Sequence, residues 1–210
     1  KNVTVPMWLN SLAEQAGRSG VRVRMKPGIY VLNDPSLARP AEAKPQDPAG
    51  KVIATYRVNS LLHFAGNDST YDLTGVVIHF DTKLHALVRN PFDKILVSGN
   101  RLTIRGLTFL DQGDTPPGRG GLRMLHVIGN GNRIENVTLH ARGSAPYGYG
   151  NLLGKGGAGA LVPLHKQSCL LITGRDNCIM GARVIARVFG HGIVMQGAVN
   201  TWIERCYVEG

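Results

Sequence analysis

Apolar residues recur in the second half of the chain at offsets that repeat from one segment to the next. GNRLTIRGLTF (Gly99–Phe109), GNGNRIENVTL (Gly129–Leu139) and GRDNCIMGARV (Gly174–Val184) each set a glycine ahead of apolar residues five, eight and ten positions on. These are Ile104, Ile134 and Ile179, then Leu107, Val137 and Ala182, then Phe109, Leu139 and Val184. A looser copy, GAVNTWIERCYV (Gly197–Val208), fits with one extra residue and contributes Ile203, Cys206 and Val208. The last two apolar positions of each copy alternate with polar ones, which is strand spacing. A strand this short cannot bury an apolar face alone. Stacked on copies of itself it can, and repetition of a strand-sized unit marks a solenoid.

The turns carry a second register. Asn132, Asn177 and Asn200 each follow their glycine by three residues, whereas the first copy has Leu102 there. Asparagine tolerates left-handed backbone angles and bonds backbone groups at turns, so stacked turns predict an internal asparagine ladder. The glycine-to-glycine intervals are 30, 45 and 23 residues. The shortest suits one coil of a parallel β-helix with little decoration. The longer ones predict insertions at about Asp111–Leu122 and Arg142–Lys166, and loops inserted on one side of a solenoid build its binding face.

Upstream, Trp8, Leu9, Leu12, Ala13 and Ala16 predict a short amphipathic helix ending near Gly17–Gly20. A strand at Val21–Met25 and a PGIY turn at Pro27–Tyr30 follow. Further strands are predicted at Val52–Tyr56, Ser60–Phe64, Val76–Phe80 and His85–Val88. Asn33–Gly50, with four prolines, and Asp111–Gly121 read as excursions or mobile loops rather than domain boundaries.

With its opening helix, strand and PGIY turn ahead of the glycine-led repeats, the chain resembles the right-handed parallel β-helix superfamily typified by pectate lyases and polygalacturonases. The resemblance implies an all-β fold: a right-handed parallel β-helix with a short N-terminal capping helix and inserted loops. It covers most of the chain and speaks to fold more than to activity. It also implies a protein that works outside the cytoplasm, whether secreted, periplasmic or at the cell surface.

Composition agrees. The 210 residues make one domain, 1–210, with room for a continuous core. Abundant glycine and sparse charge suit a turn-rich solenoid. No apolar run reaches membrane-spanning length, which predicts a soluble chain with no membrane partner. No signal peptide is visible ahead of the globular sequence that begins at Lys1, and the alternative is one that has been removed. The formal charge of +10 points to an anionic partner. No nucleic-acid motif or aromatic-basic platform is present, so an acidic polysaccharide is the expected partner. Cys169, Cys178 and Cys206 are odd in number with no CxxC pair, and read as buried small hydrophobes. Asn2, Asn67 and Asn136 head N-x-S/T sequons, Asn136 within a predicted strand. The last strand ends close to Gly210, so further coils or another chain are expected to cover that end.

The longest insertion, Arg142–Lys166, carries Tyr147, Tyr149, Lys155, His165 and Lys166 among glycines. Tyrosine rings stack on sugar faces and cations meet carboxylates. Arg142 and Arg187 both lie thirteen residues after their repeat glycine. They are therefore expected on adjacent coils, roughly 5 Å apart at the backbone, where an anion would bridge them. The alternative is two solvated charges splayed apart in water. His191, in FGHGIVM, is a candidate acid or base on the same edge. GHG is also a short polygalacturonase motif, but the NTD, DD and RIK segments that accompany it there are missing.

Three functions follow. The first is a lyase cleaving a uronate polymer by β-elimination. Arg142 and Arg187 would neutralise the carboxylate, His191, Lys166 or His165 would act as base, and Tyr147 or Tyr149 as acid, with Lys155 in substrate binding. The second is a glycoside hydrolase of the same fold, which needs paired acids. Asp111 is placed for this at a strand end facing the cleft, with Asp114, Asp176, Glu204 and Glu209 the other candidates. The third is a non-catalytic glycan-binding or adhesive β-helix. Some lyases of this fold use Ca²⁺. No dense carboxylate cluster is apparent, so no cofactor is required by the sequence, and Ca²⁺ remains an option.

Overall fold

The computed structural model describes residues 7–47, 49–118, 121–143 and 165–210. After helix α1 (Met7–Ala16) come β1 (Arg22–Arg24), β2 (Gly28–Leu32) and β3 (Arg39–Ala43). The chain then cycles through β4 (Tyr56–Phe64), β5 (Thr70–Asp72) and β6 (Val76–Asp81), and after a helical turn α2 (Leu84–Leu87) through β7 (Phe92–Val97), β8 (Thr103–Arg105) and β9 (Thr108–Gln112). Next come β10 (Leu122–Val127), β11 (Arg133–Glu135) and β12 (Thr138–Ala141), then β13 (Gln167–Ile172), β14 (Cys178–Met180) and β15 (Arg183–Ala186). The last coil holds β16 (Ile193–Met195), β17 (Trp202–Glu204) and β18 (Tyr207–Glu209).

Each coil gives one strand to each of three six-stranded sheets. We call them sheets 1, 2 and 3 in the order the chain meets them from β4 onward. All pairings are parallel except β3 against β4. The chain is a right-handed parallel β-helix. The repeat offsets become vertical columns: Ile104, Ile134, Ile179 and Ile203 stack in sheet 2, and Phe109, Leu139, Val184 and Val208 in sheet 3. One continuous core runs from Leu9 in the capping helix to Val188. At the far end Trp202, Ile203, Tyr207 and Val208 are exposed.

The turn from sheet 1 to sheet 2 is built on two constraints. Gly66, Gly99, Gly129 and Gly174 form a column in which each Cα faces the carbonyl of the coil beneath. A Cβ on Gly99 or Gly129 would sit 1.8 Å from that oxygen, so no side chain fits. Above it, buried amides bridge the coils. Asn132 Nδ2 donates to Gly99 O (3.0 Å) and Asn132 Oδ1 accepts from Leu102 N (2.8 Å); Asn177 repeats both bonds one coil on, to Gly129 O and from Asn132 N. The ladder is amide to backbone rather than amide to amide. Asn200 is not in it. The extra residue of the last copy puts Thr201 over Asn177, and Asn200 instead sits exposed at φ 49°, bonded to Asp176. A second ladder, Asn67–Asn100–Asn130, runs one residue after the glycines.

Other expectations change as well. Residues 85–88 do not form a strand; most of the segment lies in α2, inside an excursion where no neighbouring strand is available to pair. Val52–Tyr56 is not a strand either, and only Tyr56 belongs to β4. Asn136 occupies a turn at φ 51°. The proline-rich 33–50 segment contributes β3, which covers the outer edge of β4, a protection that parallel stacks need at their ends.

Candidate functional site

The turns from sheet 1 to sheet 2 and from sheet 2 to sheet 3 are short in every coil. All the long excursions leave from the corner between sheet 3 and the next sheet 1: residues 33–55, 82–91, 113–121 and 142–166. This corner and the adjoining outer face of sheet 3 make the candidate site.

Ala141 pairs with Ala186, and Arg187 N donates to Ala141 O at 2.9 Å, so Arg142 and Arg187 leave sheet 3 side by side from neighbouring coils, as their shared offset predicts. The charges are not bare. Arg142 Nη2 reaches Asp114 Oδ1 at 2.9 Å, because the 113–118 excursion folds back over the corner, and Arg187 pairs with Glu209 at the end of β18. These half-exposed pairs are worth only about 0–1 kcal/mol each, so they hold the guanidinium groups weakly.

His140 lies two residues before Arg142 on the outward column His79–Leu110–His140–Ile185–Glu209. Desolvation, then the Arg142 and Arg187 charges, hold its imidazole below the ordinary histidine value against the opposing pull of Asp111 and Glu209. A neutral imidazole at neutral pH is competent as a base. Below it on the same face, His79, Asp81, Lys83 and Gln112 line a depression of ≈ 370 Å³. Two larger cavities of ≈ 550 Å³ lie toward the N-terminal end around β3, away from the paired arginines.

Asp111 does not face the cleft. It is buried, with Oδ1 2.5 Å from Lys94 Nζ, and its Oδ2 accepts from Arg142 N and Gln167 Nε2, both at 3.0 Å. Its offset is that of inward-facing Ala141 and Ala186, so the column that places it also turns it inward. Lys166 is exposed and His165 half-buried, both immediately before β13 at the same corner. His191 is exposed before β16. Its Nδ1 lies 3.4 Å from Ser168 Oγ, which puts it in the outward column of sheet 1 rather than on the sheet 3 face with His140. Tyr147, Tyr149 and Lys155 lie outside the described residues.

A further polar network occupies the outer face of sheet 1. Asp93 accepts from Arg123 and, at 2.8 Å, pairs with His126 Nδ1; His126 Nε2 lies 3.3 Å from Thr173 Oγ1. The Tyr56 ring meets His126 edge-on at 5.8 Å, and Asp93 and His126 are buried. Read backward from the turn glycines, the repeat alignment contains this network. Asp93 and Arg123 both lie six residues before their glycine, and His126 lies three before. Reading forward, His140 is the polar neighbour of Leu139 in the strand alternation.

Among the described residues no group of three or more His, Cys, Asp or Glu side chains is arranged to hold a metal ion. The chain matches no protein-family model and no curated protein sequence.

Proposed function

We propose that the protein cleaves a uronate-containing polysaccharide by β-elimination at the corner between sheets 3 and 1. One observation carries the reading: a histidine of lowered basicity, His140, projects beside two arginines, Arg142 and Arg187, that emerge from adjacent coils.

β-Elimination at a uronate makes three demands. The C6 carboxylate is neutralised so that the C5 proton becomes acidic, and a guanidinium fork suits that carboxylate. A neutral base takes the proton, a role that falls to His140. The C5–H electron pair becomes the C4=C5 double bond as the C4–O bond breaks, and the leaving oxygen takes up a proton. Tyr147 and Tyr149 remain the candidates for that donor and Lys155 for binding, while His165 and Lys166, at the same corner, and His191, on sheet 1, are the alternative bases. A secreted, periplasmic or cell-surface location belongs with this reading.

The test is incubation with polygalacturonate, alginate and chondroitin sulfate while following the ultraviolet absorbance of unsaturated uronate. Absorbance is expected to rise with at least one polymer. His140→Ala should lower kcat by about 10²–10⁴-fold, the usual contribution of a general base, and Arg142→Ala should raise KM and also lower kcat, because the same guanidinium binds the carboxylate and acidifies the C5 proton. Reducing ends released without absorbance would replace the lyase with a hydrolase. Binding without turnover would make the protein an adhesive β-helix.

A further inference from the structure

Beneath the paired arginines lies a buried clasp that the elimination chemistry does not use. Asp111 Oδ2 accepts two hydrogen bonds, from the backbone N–H of Arg142 and from Gln167 Nε2, each 3.0 Å long. Arg142 is the first residue beyond β12 and Gln167 the first residue of β13, so one carboxylate oxygen holds both ends of the longest excursion. The other oxygen takes Lys94 Nζ at 2.5 Å, and that ammonium rests 4.1 Å from the centroid of the Phe80 ring. The Lys94 and Asp111 side chains have no solvent exposure.

The core itself does not call for these charges. The positions in register with Asp111 on neighbouring coils are Phe80 and Ala141. Those in register with Lys94 are Leu61, Met124 and Cys169. A buried ion pair replaced by apolar residues of similar volume is often neutral or stabilising, so stability alone does not account for it. What an apolar pair would lose is the acceptor for Arg142 N and Gln167. The exit is also walled in: a Cβ on Gly143 would lie 2.4 Å from Thr115 O and 3.1 Å from the His85 ring.

We infer that Asp111, charge-balanced by Lys94, is a positioning residue that ties Arg142 to Gln167 and thereby fixes where the Arg142 guanidinium stands in the groove. The role assigned to the groove rests on the elimination reading; the tie itself does not.

Two double variants separate the possibilities. Lys94→Met with Asp111→Leu removes the acceptor, whereas Lys94→Met with Asp111→Asn keeps a carboxamide oxygen for Arg142 N and Gln167. Circular dichroism and a cooperative melt establish that each folds. Amide exchange at Arg142, followed by NMR without substrate, is expected to quicken about tenfold or more in the leucine variant and to stay near wild type in the asparagine variant. On an active uronate polymer, the leucine variant is expected to raise KM about tenfold with a smaller change in kcat, and the asparagine variant to rescue it. Gln167→Met removes one tie and leaves the ion pair intact. It keeps the test open if the leucine variant does not fold, because Arg142 exchange should then rise by a smaller factor. Unchanged exchange at Arg142 in every folded variant would overturn the tie. Faster exchange with unchanged KM would overturn the positioning role. Lack of activity on every uronate would count against the proposed reaction, whereas the tie stands or falls on amide exchange, which needs no substrate.

Discussion

His85 shows how far one side chain departs from its type. Its Nδ1–H donates to Thr115 O at 2.7 Å, and burial, with the Lys94 charge adding to it, lowers its pKa to about 2. The unfolded chain takes up a proton near the ordinary value of about 6.5, which the folded protein refuses until about pH 2. Between those limits the unfolded state binds more protons, so stability is full above about 6.5 and falls as the pH drops. His63, also lowered by burial, acts in the same direction. Guanidinium unfolding midpoints are expected to fall from pH 7 to pH 4.5, and His85→Leu to flatten that fall. An equal fall in the variant would remove His85 as a cause. None of this was legible in the sequence, where His85 falls in a short apolar run that reads as a strand. Asp111 is a comparable case. Its offset from Gly99 was correct, but the partner that draws a carboxylate inward, Lys94, lies seventeen residues away on another face of the coil.

At the scale of the element, the turn between sheets 1 and 2 separates two reasons for glycine. Gly129 has no room: a Cβ would meet Gly99 O at 1.8 Å. Gly197 has room on every side but adopts φ 72°. Gly129→Ala is therefore expected to cost at least the ~1–3 kcal/mol of an overpacked core, and Gly197→Ala about 1–2 kcal/mol of left-handed backbone strain. Chemical denaturation measures both, and equal small costs would contradict the stacked-carbonyl geometry. The strands of the glycine-led repeats were visible because a column imposes the same residue class at the same offset, and α1 showed instead by its amphipathic spacing. The strands of sheet 2 and sheet 3 followed from Ile104, Ile134 and Ile179 and their partners for this reason. Asn200 misled because the inserted residue shifts the last turn by one position. The α2 segment and β3 have no counterparts in other coils, so no periodicity announced them.

Across the whole molecule, charge and topology act together. The chain carries a formal +10, and its two adjacent corner arginines pair with the exposed Asp114 and the half-exposed Glu209. Affinity for a polyuronate is expected to fall steeply between about 50 and 500 mM salt, while a neutral glucan of similar length should show little binding at either. Salt-insensitive uronate binding, measured by calorimetry, would argue against ionic recognition at the corner. The sequence placed Arg142 and Arg187 together because their columns are regular. It offered Asp114 and Glu209 only as candidate acids and did not pair them with the arginines, because they arrive from an excursion and from the terminal coil.

Because every lengthy detour departs from a single edge while the remaining two bends keep nearly constant length, the scaffold separates what can vary from what must not. A segment of different length or chemistry can be spliced in after β12 without shifting the glycine column, provided the pair of anchors at its base is preserved. Such chimeras should melt close to the parent while differing in the ligands they take.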